Sequence, residues 1–202
     1  MLIQWRHKIA CKLIEHEPVL DLGGGEGIVL SILKEQKGFS HLTLVDINPD
    51  AVKNAAQKGF EAVLADITKR LPFIENSFHT ACAVDVLEHV HDPIAVMLEM
   101  KRVAHEIVIV VPNFQYWKAR FEMLLGRIPF QSKAKRQHVF WFNYRIFNEL
   151  IKDSGLKVDK IIYGGLLRFG FLGSLLARLR PSLFSFEFAV RLTKDEKYST
   201  TK

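Results

Sequence analysis

The sequence has few cysteines and no long uninterrupted apolar run. Its two cysteines, Cys11 and Cys82, are distant in sequence and outside any Cys-x-x-Cys pattern, which disfavours a disulfide framework and a cysteine zinc site. The longest apolar stretch, 161–177, is interrupted by Arg168 and is shorter than the ~20 residues that a membrane-spanning helix needs. Charged residues occupy the place of a signal peptide's apolar core. These absences predict a cytoplasmic chain without a transmembrane helix.

The length and charge of the chain predict one domain with a basic segment. A chain of 202 residues, 49% of them hydrophobic, can form one ordinary core, and we predict a single domain spanning 1–202. The formal net charge is +6, and the whole excess lies in 118–145, which holds seven basic residues and one acidic residue, Glu122. A local field of that sign favours an anionic ligand.

Apolar runs rich in Val, Ile and Leu alternate with segments of helical periodicity, which is typical of βα units and a mainly parallel sheet. Helix caps are predicted at Asn48, Asp92 and Asn143, and a helix over about 2–15 precedes the first strand. Seven strands are predicted at Val19–Leu22, Leu42–Val45, Ala62–Leu64, Thr80–Val84, Ile107–Val111, Val158–Tyr163 and Phe186–Leu192. Two segments do not fit the alternation: a basic aromatic cap segment, 113–142, and an apolar basic insertion, 164–185.

The sequence lacks a dinucleotide fingerprint, although a glycine loop follows the first predicted strand. In the pattern Gly-x-Gly-x-x-Gly that would begin at Gly23 and Gly25, the third position is Ile28, so a nicotinamide or flavin dinucleotide site is disfavoured. The pattern present is Asp21-x-Gly23-x-Gly25-x-Gly27. Glycines at that place let the backbone turn tightly and approach a ligand at the carboxyl end of the sheet.

This loop resembles the first motif of class I S-adenosylmethionine-dependent methyltransferases, and the resemblance extends over essentially the whole chain. It implies a Rossmann-like α/β sandwich with the strand order 3-2-1-4-5-7-6, strand seven being antiparallel. It also implies that Asp46 accepts hydrogen bonds from both ribose hydroxyls, that Asp66 and Ile67 contact the adenine, and that Asp85 lies near the methionine end. The cofactor-binding residues implied are Asp21, Gly23, Gly25, Gly27, Asp46, Ile47, Asp66, Ile67 and Asp85.

The charge of that cofactor agrees with the residue types at the strand ends. S-adenosylmethionine carries a sulfonium cation and no phosphate, so carboxylates suit it, whereas a phosphate site would favour lysine and free helix N-termini. For Asp85 a plain capping role in the following turn is the alternative.

The cap segment carries a closer resemblance. Residues 111–127 are similar to the corresponding part of the methionine biosynthesis protein MetW family, which is thought to bind S-adenosylmethionine. The hexapeptide 85–90 is more similar to small-molecule methyltransferases, including those acting on quinone precursors. The chain lacks the Asn/Asp-Pro-Pro-Tyr/Phe element that holds a flipped base, and it shows no motif of a known RNA module. Nucleic acid is therefore not expected as a partner, and a small-molecule acceptor is expected.

Two histidines are candidates for catalysis. His89 follows Asp85 by four residues and is the first candidate for a base on the acceptor, and His138 in the cap segment is the second; Glu88 and Tyr116 rank below them. His89 has an alternative role in ordering its loop through backbone hydrogen bonds, and His138 has one on the solvated surface. The cluster Glu88, His89, His91 and Asp92 matches no tight ligand spacing, so no metal site is predicted.

Several alternatives stay open from the sequence. The aromatic residues Phe140, Trp141, Phe142 and Tyr144 either line an acceptor pocket or form the hydrophobic staple and core face of the next helix. The insertion 164–185 either lies as an amphipathic helix in a membrane interface, presenting a lipid-like acceptor, or packs on the sheet or on a second copy in a homodimer. The leading function is methyl transfer to a small acceptor. The rival function is that of a non-catalytic cofactor-binding accessory protein of a partner enzyme.

Overall fold

The computed structural model describes residues 5–129, 132, 137–164 and 170–195. Within these ranges seven strands form one sheet: β1 (Val19–Leu22), β2 (Leu42–Asp46), β3 (Glu61–Leu64), β4 (Phe78–Val84), β5 (Ala104–Pro112), β6 (Leu156–Gly164) and β7 (Glu187–Lys194). The helices are α1 (Trp5–Leu13), α2 (Ile28–Lys37), α3 (Pro49–Gln57), α4 (Pro93–Val103), α5 (Trp117–Leu124), α6 (Tyr144–Asp153), α7 (Gly170–Leu179) and α8 (Pro181–Phe184). A 3-10 turn covers Leu87–His89.

The strand order is β3-β2-β1-β4-β5-β7-β6, which confirms the predicted topology. The first five strands pair in parallel, whereas β7 runs antiparallel to both β5 and β6. In this order β1 and β4 are parallel neighbours. Strands β2 and β3 are added on one side of β1, whereas β4 and the later strands are added on the other, so the strand order reverses between β1 and β4. Ligands of such sheets bind outside the carboxyl ends of the strands at that reversal, so the ends of β1, β2 and β4 define the place to search.

Helix starts follow the predicted caps. The side chains of Asn48, Asp92 and Asn143 accept hydrogen bonds from the backbone N–H groups of Asp50, Ala95 and Ile146. The strands β4, β5 and β6 begin two or three residues earlier than their apolar runs suggested. Exposed residues such as Lys157, which pairs with Thr193, belong to the ladder there but give no apolar signal. The helix predicted over 2–15 spans Trp5–Leu13 within the described residues.

Alternating side chains of the strands form a core on each face of the sheet. Leu20 and Leu22 of β1 face the cluster that includes α4 and α6, whereas Val19 belongs to the cluster with α1 and α2. Because strand side chains alternate between faces, Asp21 points toward the side of α1 and α2. It is a carboxylate within an otherwise apolar, fully buried strand.

The aromatic run before α6 packs mainly in the core. Phe142 is completely buried, and its ring contacts that of Phe147 edge to face at 5.7 Å, which is the predicted hydrophobic staple between the residue before the cap and the first turn. Phe140 and Tyr144 also pack against this core. Trp141 is the exception, with 57% of its surface exposed.

The described part of the insertion 164–185 comprises the last residue of β6 and the helices α7 and α8. Residues 165–169 lie outside the described residues. Leu172, Leu175 and Leu179 of α7 are exposed, so this face is not packed on the sheet. Contact of this face with a membrane interface and contact with a second copy of the chain therefore both stay predictions. Among the described residues no helix is long and apolar enough to cross a membrane.

Candidate functional site

A cleft of about 320 Å³ lies at the carboxyl ends of β1, β2 and β4 and beside the loop after β3. Its lining residues are Gly23, Asp46, Ile47, Asp66, Ile67, Thr68, Asp85, Val86, His89 and Val90. The structure thus brings together in one cavity most of the residues predicted for the cofactor, and His89 with them. Asp21, Gly25 and Gly27 do not line it. Gly25 and Gly27 belong to the loop whose Gly23 lines the cleft, and Asp21 lies in the strand before that loop.

The glycine loop requires glycine at its turns. Gly23 has φ +63°, and a Cβ on it would lie 2.9 Å from Cγ2 of Val86. Gly25 has φ +52°, and a Cβ there would meet nothing within 4 Å. The first glycine therefore permits a close approach between β1 and the turn after β4, whereas the second supplies a left-handed backbone conformation that other residues rarely adopt.

Asp46 at the end of β2 holds this loop in place. Its Oδ2 accepts a hydrogen bond of 2.9 Å from the N–H of Gly25, and its Oδ1 accepts one of 2.9 Å from the N–H of Asn48. Each carboxylate oxygen has a second lone pair, so both can still accept a hydroxyl. The neighbouring Ile47 has 69% of its surface exposed, an apolar surface at the edge of the cleft.

Asp66 is ordered by a local turn. Its Oδ1 accepts hydrogen bonds from the N–H of Thr68 at 2.9 Å and from the Thr68 hydroxyl at 2.7 Å. These bonds lower the pKa of Asp66 below its usual range, because they stabilise the charged form. Ile67 packs in part against the core, so a carboxylate and an apolar side chain stand together at this wall.

Asp85 at the end of β4 is paired with a residue that the sequence analysis missed. Arg6 of α1 forms an ion pair with Oδ2 of Asp85 and a second with Glu187 of β7 at 3.0 Å. Asp85 has φ +56°, which is uncommon for a residue with a side chain. Its Oδ1 is buried and has no hydrogen-bond partner among the described residues. The single charge of Arg6 thus balances only one of the two carboxylate charges, and Oδ1 of Asp85 remains as a hydrogen-bond acceptor at the cleft.

Burial controls the ionisation of Asp21. The side chain is fully enclosed, and Sγ of Cys82 donates to its Oδ1 at 3.3 Å. Burial raises the pKa of Asp21 to about 7, and the charge of Asp46 adds to this rise, while the Cys82 hydrogen bond opposes it. Gly24 is packed against it, because a Cβ there would lie 2.7 Å from Oδ2 of Asp21. Asp21 therefore packs against the glycine loop at Gly24 and supports its conformation.

The turn after β4 docks the end of the cap segment beside the cleft. The carbonyl oxygen of Glu88 accepts hydrogen bonds from the N–H groups of Val139 and Phe140, at 2.9 and 3.0 Å. Nδ1 of His89 lies 3.2 Å from the carbonyl oxygen of Gln137, and the His89 and His138 rings are 4.9 Å apart. His138 is nearly buried, with its Nε2 3.9 Å from Oε1 of the buried Glu88. Residues 50 positions apart thus share one wall of the site.

Other candidates from the sequence have different places. Asp92 caps α4 and His91 is exposed, so the cluster predicted from adjacent residues does not form as a unit. Tyr116 precedes α5, and its pKa is raised mainly by partial burial. It does not line the cleft. Lys133, Lys135 and Arg136 lie outside the described residues.

The family model described as methionine biosynthesis protein MetW matches residues 6–166 of this chain. A curated relative, the bifunctional methionine biosynthesis protein MetXA/MetW of Rhodopirellula baltica, is 28% identical over 135 residues. That match covers 62% of this chain and 21% of the relative, so the similarity extends over about a fifth of the longer protein.

Solved structures share the fold at low identity. A S-adenosylmethionine-dependent methyltransferase of Thermotoga maritima is 16% identical, with a TM-score of 0.70 over 94% of this chain and 87% of that one. A chain in the complex of the Trm112 methyltransferase activator and a methyltransferase of Haloferax volcanii is 19% identical, with a TM-score of 0.65 over 93% and 88%. The [4+2]-cyclase SpnF is 11% identical, with a TM-score of 0.67 over 93% and 80%. The fold is shared by proteins of different named activities.

Proposed function

This chain belongs to the family of the methionine biosynthesis protein MetW, and we propose that it is a S-adenosylmethionine-dependent methyltransferase that acts on a small-molecule acceptor. The observation that carries this proposal is the cleft itself, where three carboxylates and two exposed or half-buried isoleucine side chains surround a glycine loop. None of its lining residues is Lys or Arg. This lining suits a cationic ligand with a flat ring and hydroxyl groups, and it does not suit a phosphate.

Individual residues fit the parts of that cofactor. Asp46 retains acceptor capacity for the ribose hydroxyls, and Asp66 with Ile67 offers an acceptor and an apolar wall for the adenine. The unpartnered Oδ1 of Asp85 suits the amino group of the methionine end. Bound there, the cofactor supplies a methyl group activated by the sulfonium. The chain then has to orient the acceptor and exclude water.

His89 and His138 are the proposed groups for the acceptor's proton. A carbonyl oxygen only accepts, so the contact of His89 Nδ1 with Gln137 requires Nδ1 to carry the ring proton. Nε2 then keeps its lone pair, and His89 lines the cleft. His138 lies against it on the side of the cap segment. Both histidines are thereby held by the same stretch of backbone, 137–140.

The acceptor side also suggests a negative charge on the substrate. The cations Lys118, Arg120 and Arg127 belong to the cap segment, whose Gln137 and His138 contact His89 of the cleft, and all three are exposed. An anionic small molecule would be attracted by this field.

A second candidate function is that of a cofactor-binding accessory protein of a partner enzyme. It is favoured by the exposed apolar side chains of α5 and the residues after it, Phe121, Leu124 and Ile128, because a surface of this kind is typical of protein contacts. The longer relative named MetXA/MetW, in which a similar segment is part of a bifunctional chain, agrees with this candidate.

One experiment separates the two. The purified chain is incubated with methyl-labelled cofactor and cell extract, and the labelled products are identified. Methyl transfer requires a small molecule that acquires the label in proportion to enzyme and time. Cofactor binding by calorimetry without any labelled product would reject the enzyme and favour the accessory role.

A further inference from the structure

Three side chains with metal-binding atoms meet at the wall between the cleft and the cap segment. Glu88, His89 and His138 each offer one donor atom, and these atoms all lie within 4.8 Å of one another. Glu88 and His89 come from the 3-10 turn after β4, whereas His138 comes from the cap segment. This convergence could not be read from sequence spacing, because His138 is 49 positions from His89.

The backbone fixes these side chains in place. The two hydrogen bonds from Val139 and Phe140 to the Glu88 carbonyl attach the loop to the turn. The contact of His89 Nδ1 with the Gln137 carbonyl places the ring proton of the neutral imidazole on Nδ1. Nε2 then has the lone pair that can bind a metal ion. Metal-binding histidines are commonly oriented by a hydrogen bond of this kind on their other nitrogen.

The distances suit one ion after a small contraction. Bonds from a tetrahedral first-row metal ion to nitrogen or carboxylate oxygen are about 2.1 Å, so two of its ligand atoms lie about 3.4 Å apart. The 3.9 Å between Glu88 Oε1 and His138 Nε2 exceeds this spacing by about half an ångström and is too long for a direct hydrogen bond. The donor atoms lie within 4.8 Å of one another, so the set as a whole has to contract by up to about 1.5 Å.

We propose that Glu88, His89 and His138 bind a divalent first-row transition-metal ion such as zinc or manganese at the edge of the cleft. Two imidazoles and one carboxylate favour such an ion over magnesium or calcium, which prefer oxygen alone. Three protein ligands leave a coordination position open, as in catalytic sites.

The open position gives the ion a role that rests on the proposed methyl transfer. With their lone pairs bound to the ion, His89 and His138 act as ligands in place of the base role proposed above. An ion that coordinates a hydroxyl oxygen of the acceptor lowers the pKa of that hydroxyl. The O–H bond then breaks and the proton passes to solvent. The oxygen electron pair forms the bond to the methyl carbon, and the electron pair of the broken carbon–sulfur bond stays on sulfur. The ion changes no oxidation state.

The binding test uses the full chain freed of metal with a chelator. Cobalt(II) is added and its ligand-field absorption is followed, and zinc is then used to displace it. We expect one ion per chain and an affinity that falls at least about tenfold in His89→Asn, His138→Asn and Glu88→Gln. The matched control is His91→Asn, an exposed histidine outside the set. A second control is His79→Asn, because the His16, His79 and His105 rings also lie close together.

The outcomes are distinct. Equal cobalt binding by the wild type and the His89 and His138 variants, or loss of binding in either control alone, overturns the proposal. His89 is exposed, so its variant keeps the test valid if replacement of the buried Glu88 prevents folding. Failure of cobalt and zinc to bind, with S-adenosylmethionine still bound, rejects the metal site and leaves the proposed function intact. Bound metal with methyl transfer that a chelator does not slow rejects the role in the reaction.

Discussion

The carboxylate of Asp46 accepts a 2.9 Å hydrogen bond from the N–H of Gly25, so the acidic residue at the end of β2 also fixes the loop that follows β1. The same side chain therefore has two tasks if the proposed cofactor binds. It holds the loop in its left-handed turns and presents oxygen atoms to the ligand.

Replacement of Asp46 by Ala is expected to weaken S-adenosylmethionine binding by about 1.5 to 3 kcal/mol, because charge-assisted hydrogen bonds are lost. Isothermal calorimetry measures this change. Asp153→Ala, an exposed aspartate at the end of α6, is the control and should bind as the wild type does. Unchanged affinity in the Asp46 variant would remove this residue from the site.

His89→Ala should lower turnover about 100-fold or more and change cofactor affinity little, since a group that handles the acceptor's proton acts in the transition state. Steady-state kinetics and calorimetry give the two numbers. His91→Ala is the matched control. If turnover of the His89 variant stays within about threefold of the wild type, His89 only orders the loop at Gln137.

Arg6→Gln should destabilise the protein by about 2 to 4 kcal/mol, because it leaves Asp85 and the buried Glu187 without their common partner. Urea unfolding measures the free energy. Arg145→Gln is the control, since its ion pair with Glu149 is 88% and 55% exposed and should contribute under about 0.5 kcal/mol. Equal effects of the two replacements would show that Arg6 is not a structural link.

The pH dependence of stability should change in Asp21→Asn. The pKa of Asp21 rises from 3.8 to about 7 in the folded chain, so its neutral form is favoured by folding. That stability is fully present below about pH 4 and is lost as the pH rises through 7, and at most about 4 kcal/mol is involved. The variant should therefore gain stability relative to the wild type between pH 4 and 8. Parallel urea-unfolding curves across this range would contradict the shifted pKa, and Asp153→Asn is the control.

Acceptor affinity should fall as ionic strength rises if the cap segment attracts anions. Surface charges are screened within about 10 Å at 0.1 M salt, so the Michaelis constant of an anionic acceptor should increase with added salt. The dissociation constant of the cofactor, measured in the same buffers, is the comparison. A Michaelis constant independent of salt would leave Lys118, Arg120 and Arg127 as an ordinary solvated surface.

The helix caps could be predicted from sequence, and the staple at Phe142 could be offered as one of two alternatives, because each depends on a short pattern. The sheet order is implied by the resemblance to class I methyltransferases. The role of Arg6 could not be predicted, because α1 carries no motif and the partner Glu187 is about 180 residues away. A weak signal did exist: Glu187 is a carboxylate at the start of an apolar strand, and such a residue needs a cationic partner. The meeting of Glu88 with His138 had no signal in spacing, since it depends on how the chain returns after α5.

The attachment of residues 139 and 140 to the carbonyl of Glu88 has a consequence for how such sites diverge. The residues proposed for the cofactor all precede position 90, whereas the part of the wall proposed to face an acceptor comes later in the chain and is held by main-chain hydrogen bonds. Main-chain hydrogen bonds do not depend on which side chains the bonded residues carry. If the proposed acceptor binds at this wall, substitutions in 113–142 are expected to change acceptor choice while the cofactor half stays constant, and exchange of this segment between relatives is expected to alter specificity.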